Sequence, residues 1–207
     1  MTDLPGRTER AEIVHERPPS GTCDELLFGS DRGNTLWVKF SDRHGIVEWI
    51  GKFGCGTSSA MRVTLAAPPD RFIVAAGGYA YLVDATRRIL LNEFHDQFAQ
   101  DVAFEPTRNA FVVADYVRIR LVEAGKVTWM SPRIALDGIR NLKVEGQTIR
   151  GLAVTGYEGE EEEFIVDLDS REVRCPTDYS SWDKPAEAVN ATPSSRPAKA
   201  KPWWRFW

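Results

Sequence analysis

The sequence has few cysteines, and none of them form a closely spaced pair. Cys23, Cys55 and Cys175 are far apart in a chain of 207 residues. An odd number of isolated cysteines argues against a disulfide framework and against a structural zinc site, since both need paired residues. We therefore expect a reducing compartment, no metal and no cofactor, and we predict a cytoplasmic protein.

Long apolar runs and the common catalytic motifs are also missing. No segment reads as a secretion signal, and none approaches the roughly 18 apolar residues of a membrane-spanning helix. No GxSxG, HExxH, P-loop or GxGxxG pattern is present, so we predict no catalytic residues and a non-enzymatic protein. A hydrolase remains an alternative only if the fold brings Cys55 and His95, or another base, within hydrogen-bonding reach. The net charge of -4 disfavours nucleic acid as a partner.

What the sequence does contain is an internal repeat. The segments 63–85 and 102–124 carry the same apolar runs and turn at a constant offset of about 39 residues, so that Phe72 corresponds to Phe111. An offset of this size is typical of propellers and other repeat arrays. The short runs, rich in β-branched and aromatic residues and separated by glycine and aspartate turns, predict strands joined by hairpins. A degenerate earlier copy and a longer later one bring the total to four units.

The hairpins resemble a known architecture. The runs around Leu82-Val83-Asp84 and Val166-Asp167-Leu168 are similar to the inner hairpins of β-propeller blades of the WD and quinoprotein-like kinds. The Gly-His and Trp-Asp signatures of WD blades are absent, so the resemblance implies an architecture and no activity. The fourth unit, residues 139–173, also resembles segments of uncharacterised bacterial proteins.

We predict an all-β fold, a propeller-like stack of about four antiparallel meanders, with a curved β-sandwich as the alternative. Only residues 92–100 have near-helical spacing of apolar side chains, enough for one or two turns. Single meanders cannot bury both faces, and stacking removes their apolar surface from water. The prediction therefore depends on the units packing against one another.

Composition divides the chain into four parts. Residues 1–22 are polar and proline-containing, which is typical of a flexible lead. Residues 23–181 form the predicted β-repeat domain. Residues 182–201 are rich in Pro, Ala, Ser and Lys, a composition that cannot build a core and predicts a flexible linker in a disordered tail. Residues 202–207 form an aromatic C-terminal peptide.

This aromatic peptide is the most specific feature of the sequence. Tryptophan and arginine are enriched among the residues that dominate binding energy at interfaces. We predict that the peptide is a partner-binding motif made of Trp203, Trp204, Arg205, Phe206 and Trp207. Its partner is another protein or a second copy of the chain, unless it docks on its own domain. A membrane surface, where tryptophan and basic residues concentrate, is the alternative and would make the chain a membrane-associated accessory protein.

An acidic run offers a second candidate contact. It consists of Glu160, Glu161, Glu162 and Glu163. Consecutive carboxylates diverge and do not converge on a cation, so a calcium site is disfavoured. The run is either a solvated hairpin or a contact for a basic partner. In the second case the chain would be a small acidic immunity or inhibitor protein that covers a toxin.

Overall fold

The computed structural model describes residues 8–182, apart from residues 17–18, 20, 22, 31–32, 67–69, 97 and 180–181. Within these residues the chain forms sixteen strands and no helix. The strands make four four-stranded sheets that follow one another along the chain. We call these sheets the first to fourth blades. The predicted all-β stack of about four meanders is confirmed.

Each blade contains four consecutive strands. The first blade comprises β1 (Arg10–Val14), β2 (Asp24–Phe28), β3 (Thr35–Ser41) and β4 (Val47–Gly54). The second comprises β5 (Met61–Ala66), β6 (Arg71–Ala76), β7 (Tyr79–Asp84) and β8 (Ile89–His95). The third comprises β9 (Asp101–Glu105), β10 (Ala110–Ala114), β11 (Ile119–Glu123) and β12 (Lys126–Met130). The fourth comprises β13 (Ile139–Glu145), β14 (Thr148–Val154), β15 (Glu161–Asp167) and β16 (Val173–Arg174).

The offset of the repeat is the step from one blade to the next. Phe72 of β6 pairs with Val83 of β7, and Phe111 of β10 pairs with Val122 of β11. The first pair packs into the core between the first and second blades, and the second pair packs into the next core along the chain. Equivalent side chains therefore serve successive interfaces, which is why the apolar pattern recurs.

Three apolar cores hold the four blades together, and each lies between two neighbouring blades. The inner strands contact one another in the order β1, β5, β9, β13. Among the described residues, no comparable contact joins β13 to β1, and no core joins the fourth blade to the first. The blades thus form an open arc, and their three separate cores differ from the single core of the alternative sandwich fold.

The first blade departs from the predicted pattern in two ways. Strand β1 lies inside the segment 1–22 that was expected to be a flexible lead, and its Ala11 and Ile13 pack on the first core. Strand β2 is not the hairpin partner of β3 but runs parallel to β4 at the opposite edge. The charged residues Arg10 and Glu12 on either side of Ala11 give β1 the alternation of a half-buried strand. Because β1 occupies the place beside β3, β2 takes the vacant edge beside β4.

Residues 92–100, which could have formed a helical turn or two, contain no helix among their described members. Residues 92–95 complete strand β8, along which exposed and partly buried side chains alternate. This alternation has the period of two that a strand at the outer edge of a blade requires. The near-helical spacing of Phe94 and Phe98 is therefore coincidental.

A buried tyrosine joins the first and second blades. Tyr81 is fully buried, and its hydroxyl donates to the Gly54 carbonyl at 2.8 Å. Burial raises the pKa of Tyr81, so the hydroxyl remains a donor throughout the neutral range. We expect Tyr81→Phe to lower the free energy of unfolding by about 1–3 kcal/mol, because it leaves a buried carbonyl without its donor. Urea unfolding checks this. Tyr157→Phe is the matched control, since Tyr157 is 90% exposed, and an equal effect of the two changes would contradict the prediction.

Candidate functional site

Cys55 and His95 do not form a catalytic pair. The Cys55 thiol donates to the Phe53 carbonyl at 3.8 Å, and burial raises the pKa of Cys55. His95 Nε2 lies 3.4 Å from a Glu93 carboxylate oxygen, and its ring stacks on Tyr79 at 4.4 Å. A protonated thiol without a positioned base is not an activated nucleophile. The hydrolase alternative therefore gains no support.

No metal-binding cluster is found in the part of the chain that the structure describes. There, no three His, Cys, Asp or Glu side chains are grouped as metal ligands would be, and the three cysteines are free thiols. No helix suited to crossing a membrane occurs among the same residues.

The inner strand β9 carries two buried carboxylates, Glu105 and Asp101, and both have partners. Glu105 accepts the backbone N–H groups of Thr107 and Arg108 at 3.0 and 2.6 Å. Asp101 is 6% exposed beside a depression of about 430 Å³ that includes Arg62 and Leu142 in its lining. Its carboxylate pairs with the Arg62 guanidinium at 2.5 Å. It also accepts the backbone N–H groups of Val102 and Leu142, each at 2.8 Å. Asp101 therefore fastens three inner strands together instead of facing a ligand.

The acidic run is not a single patch of repelling charges. Successive residues of a strand point to opposite faces, and most of the run lies in β15. Each glutamate of β15 in the run has its own partner: Glu161 pairs with Arg140, Glu162 accepts the Thr177 hydroxyl at 2.8 Å, and Glu163 lies 3.3 Å from Arg150. Glu160 precedes the strand and accepts a backbone N–H of the adjoining turn at 3.1 Å. That this run binds a basic partner stays a prediction.

The predicted partner-binding motif, residues 202–207, lies outside the described residues. The last described residue is Trp182, which is 55% exposed. Its ring packs edge-on against Tyr179 at 6.1 Å, and the Arg133 guanidinium lies over it at 5.0 Å. Tyr179 donates its hydroxyl to the Thr155 carbonyl at 2.8 Å. The segment that carries the motif therefore departs from the fourth blade, close to the end of β14.

Each end of the arc has a sheet face that packs against no other blade within the described chain. On the first blade we call this the outer face. Strand pairing places its side chains in two neighbouring rows. The first row contains Val14, Trp37, Lys52 and Leu27, and the second contains Glu12, Lys39, Ile50 and Glu25. The opposite face of the same strands supplies the aromatic side chains of the first core.

The outer face of the first blade mixes apolar and charged side chains. Leu27 is 45% exposed, Trp37 is half-buried and Ile50 is buried. The Lys52 ammonium lies 5.0 Å from the centre of the Trp37 ring, in the geometry of a cation–π contact. The Lys39 ammonium pairs with Glu12 at 2.9 Å. The result is a small apolar patch bordered by both signs of charge.

The corresponding face of the fourth blade is covered by ion pairs. Arg150 lies 3.3 Å from both Glu145 and Glu163, and Arg140 pairs with Glu161. These arginines and glutamates span the strands of the blade on either side of Leu152, which is only partly exposed.

Comparisons with known proteins match the architecture alone. No family model matches the chain, and no curated protein matches its sequence. The WD40 domain of Neurospora crassa Pan2 is similar at 12% identity and a TM-score of 0.49, over 70% of this chain and 48% of that one. The WD40 β-propeller domain of Doa1 is similar at 14% identity and a TM-score of 0.47, over 72% of this chain and 52% of that one. The chain thus spans about half the length of these domains.

Neither match extends to function. The resemblance of the fourth unit to bacterial proteins also finds no support in these two matches. The description of this chain as an all-β, propeller-like repeat protein therefore rests on its own four sheets and three cores.

Proposed function

We propose that the chain is a non-enzymatic protein-interaction module that the aromatic peptide 202–207 fastens to a larger assembly. The observation that carries this proposal is the open arc. Each of its two end blades has a sheet face that packs against no other described blade. An array of this kind offers extended surfaces for partners, and its interior is used for packing. Exposed apolar patches bordered by polar residues, such as that around Leu27, are typical of interaction sites.

The peptide supplies the second element of the proposal. Burying its four aromatic side chains would contribute roughly 6–12 kcal/mol, at about 1.5–3 kcal/mol each. Ordering the backbone of about six residues costs roughly 6–12 kcal/mol. The peptide alone is a weak ligand because these quantities nearly cancel. It needs a preformed pocket on the partner, or proximity imposed by its linker, to bind well.

Deleting residues 202–207 tests the proposed function. We expect quantitative affinity purification from the native cell to recover partners with the full chain and to lose them with the shortened one. Deletion of residues 190–195, an equally long piece of the linker, is the matched control and should leave recovery unchanged. Equal recovery of every partner by the full and shortened chains would refute the role of the peptide. Sedimentation with anionic vesicles, if it alone depended on the peptide, would favour the membrane alternative instead.

A further inference from the structure

We propose that one edge of the third and fourth blades is the binding site for residues 196–207 of the same chain. The inference rests on the proposed function in one respect, namely that the aromatic peptide 202–207 is a binding motif. It adds the surface that receives the peptide, the basic residues that precede it, and a means by which the chain controls access to it.

Three connections form this edge, which we call the loop edge. They are the turn 115–118 between β10 and β11, the loop 131–138 between β12 and β13, and the turn 155–160 between β14 and β15. All three connections are described in full. Backbone hydrogen bonds join them in that order: the Gly138 N–H donates to the Tyr116 carbonyl at 2.6 Å, and the Val154 N–H donates to the Gly138 carbonyl at 2.9 Å. The loop edge is therefore one continuous surface.

Two tyrosine side chains of the loop edge are exposed to solvent. Tyr116 is 45% exposed and Tyr157 is 90% exposed. Hydrogen bonds hold the turns that carry them: Asp115 accepts two backbone N–H groups of its own turn, each at 2.8 Å, and Glu160 accepts a backbone N–H of the other turn at 3.1 Å. A tyrosine on a fixed turn offers a large ring and loses little conformational freedom on binding, which favours it as a contact residue.

The unpaired charge on the loop edge is negative. Asp137 and Glu158 are both exposed, and neither carboxylate forms an ion pair with any described residue. Basic side chains nearby are already engaged: the Arg120 guanidinium lies between two carboxylates, and the Arg133 guanidinium lies over an aromatic ring at 5.0 Å. A ligand for this edge should therefore combine positive charge with groups that pack on tyrosine rings.

Residues 196–207 have this composition. The segment contains four basic and no acidic side chains, together with Pro197, Pro202 and the four aromatic residues of the peptide. Proline-containing segments dock on surfaces lined by aromatic rings. Lysine and arginine can lie over the face of a tyrosine ring, and a guanidinium can pair with a carboxylate in two parallel hydrogen bonds. Charge and ring packing therefore both favour this segment as the occupant.

The last described residues lie beside the loop edge, which favours docking on the same chain. Tyr179 donates its hydroxyl to the Thr155 carbonyl at 2.8 Å, and Trp182 packs edge-on against Tyr179. The 13 residues 183–195 separate Trp182 from the segment. A flexible stretch of this length spans on average about 18–22 Å. The tether therefore keeps the segment close to the loop edge at an effective concentration on the order of millimolar, well above that of a second copy in solution.

Docking on the loop edge would regulate recruitment. A partner that recognises the aromatic peptide must first displace it from this edge. Its apparent affinity then falls in proportion to the fraction of chains in which the peptide is free. Substitutions that weaken docking should therefore strengthen capture of the partner by the full chain.

A fluorescent synthetic peptide of residues 196–207 provides the test. Its binding is measured by anisotropy to the chain lacking residues 196–207, which retains every described blade. We expect binding to this shortened chain. Binding to the full chain should be weaker by about tenfold or more, because its own segment competes for the loop edge.

Two substitutions in the shortened chain test the site itself. Glu158→Lys reverses an unpaired charge of the loop edge, and Tyr157→Ala removes the more exposed of its two tyrosine rings; each should weaken binding about tenfold. Glu145→Lys is the matched control for charge, because Glu145 ends β13 at the opposite edge of the same blade. Ile46→Ala is the matched control for apolar area, since Ile46 is 66% exposed between β3 and β4. Both controls should leave binding unchanged.

Several outcomes would overturn the inference. One is failure of the shortened chain to bind the synthetic peptide, and another is equal weakening of binding by a substitution and its matched control. A dimer of the full chain that dissociates when residues 196–207 are removed would place the segment on a second copy instead. Light scattering over a range of concentrations distinguishes that case. Partner capture that depends on residues 202–207 but is unchanged by Glu158→Lys in the full chain would sink this inference and leave the proposed function standing.

Discussion

Replacing Trp49 with alanine should lower the free energy of unfolding by about 3–5 kcal/mol. The indole is fully buried in the core between the first and second blades. It stacks on Phe40 with ring centres 4.0 Å apart, and its N–H donates to the Ala85 carbonyl at 3.0 Å. The substitution leaves a cavity the size of the indole and weakens the hydrogen bonding of a carbonyl in the second blade. The loss of stability therefore has two sources, the packing of the indole and its hydrogen bond between the blades.

Urea unfolding followed by far-ultraviolet circular dichroism measures this effect. Trp182→Ala is the matched control, because it makes the same change at a ring that is 55% exposed, and it should cost less than about 1 kcal/mol. Trp49→Phe keeps an aromatic ring in the core and should fall between the two. A loss for Trp49→Ala no larger than that for Trp182→Ala would show that the first core contributes little to stability.

Replacing Arg120 with alanine is expected to have a comparable effect, about 3–5 kcal/mol, for an electrostatic reason. Arg120 of β11 is 16% exposed and lies between two carboxylates that are also largely buried. It pairs with Asp96, which follows the second blade, and with Asp115, 3.0 Å away, which follows β10. Without the guanidinium, two carboxylates remain close together with no cation to balance them.

Two controls separate this effect from the loss of side-chain volume. Arg140→Ala removes an arginine that is 60% exposed and paired with Glu161, so it should cost less than about 1 kcal/mol. Adding Asp96→Asn to Arg120→Ala should recover part of the stability, because the amide oxygen can still accept the Phe98 N–H that Asp96 accepts at 2.8 Å. If this second change caused further loss, charge repulsion would not be the source of the effect.

The repeat could be predicted because equivalent residues occupy equivalent positions in successive cores. Phe72 and Phe111 stand at matching places in two blades and fill successive cores, so the same physical demand recurs along the chain. Hairpins such as that between β6 and β7 follow from local turn chemistry, with Gly77 and Gly78 both at positive φ. The repeat and its hairpins could therefore be predicted from the sequence.

The strand order of the first blade could not be predicted, because it depends on pairing between strands that are distant in the sequence. Ala11 and Ile13 give only a weak apolar signal, and they become a strand by pairing with β3 across an intervening segment. The glycine-containing turn before β3 reads as a hairpin, yet the preceding strand β2 pairs with β4. In both cases strands compete for the edges of one sheet. A short stretch of sequence contains no information about that competition.

The candidate contact sites likewise divide into those that the sequence shows and those that only the fold assembles. The aromatic composition of residues 202–207 is visible without a structure. The outer face of the first blade could not be found beforehand, because Trp37, Leu27 and Ile50 come from three strands and are assembled only by the register of the blade. The partners of Glu161 and Glu163 were hidden for the same reason, since Arg140 and Arg150 lie on neighbouring strands.

The three successive cores also bear on how such a chain can change in length during evolution. Each of the three described cores lies between two neighbouring blades, and none of these cores requires a particular total number of blades. Duplicating or losing one blade between β8 and β9 would leave each neighbouring blade packed against the same kind of apolar face. Lineages carrying this chain could therefore vary in size by whole units while both extremities, and whatever they recognise, stayed unaltered.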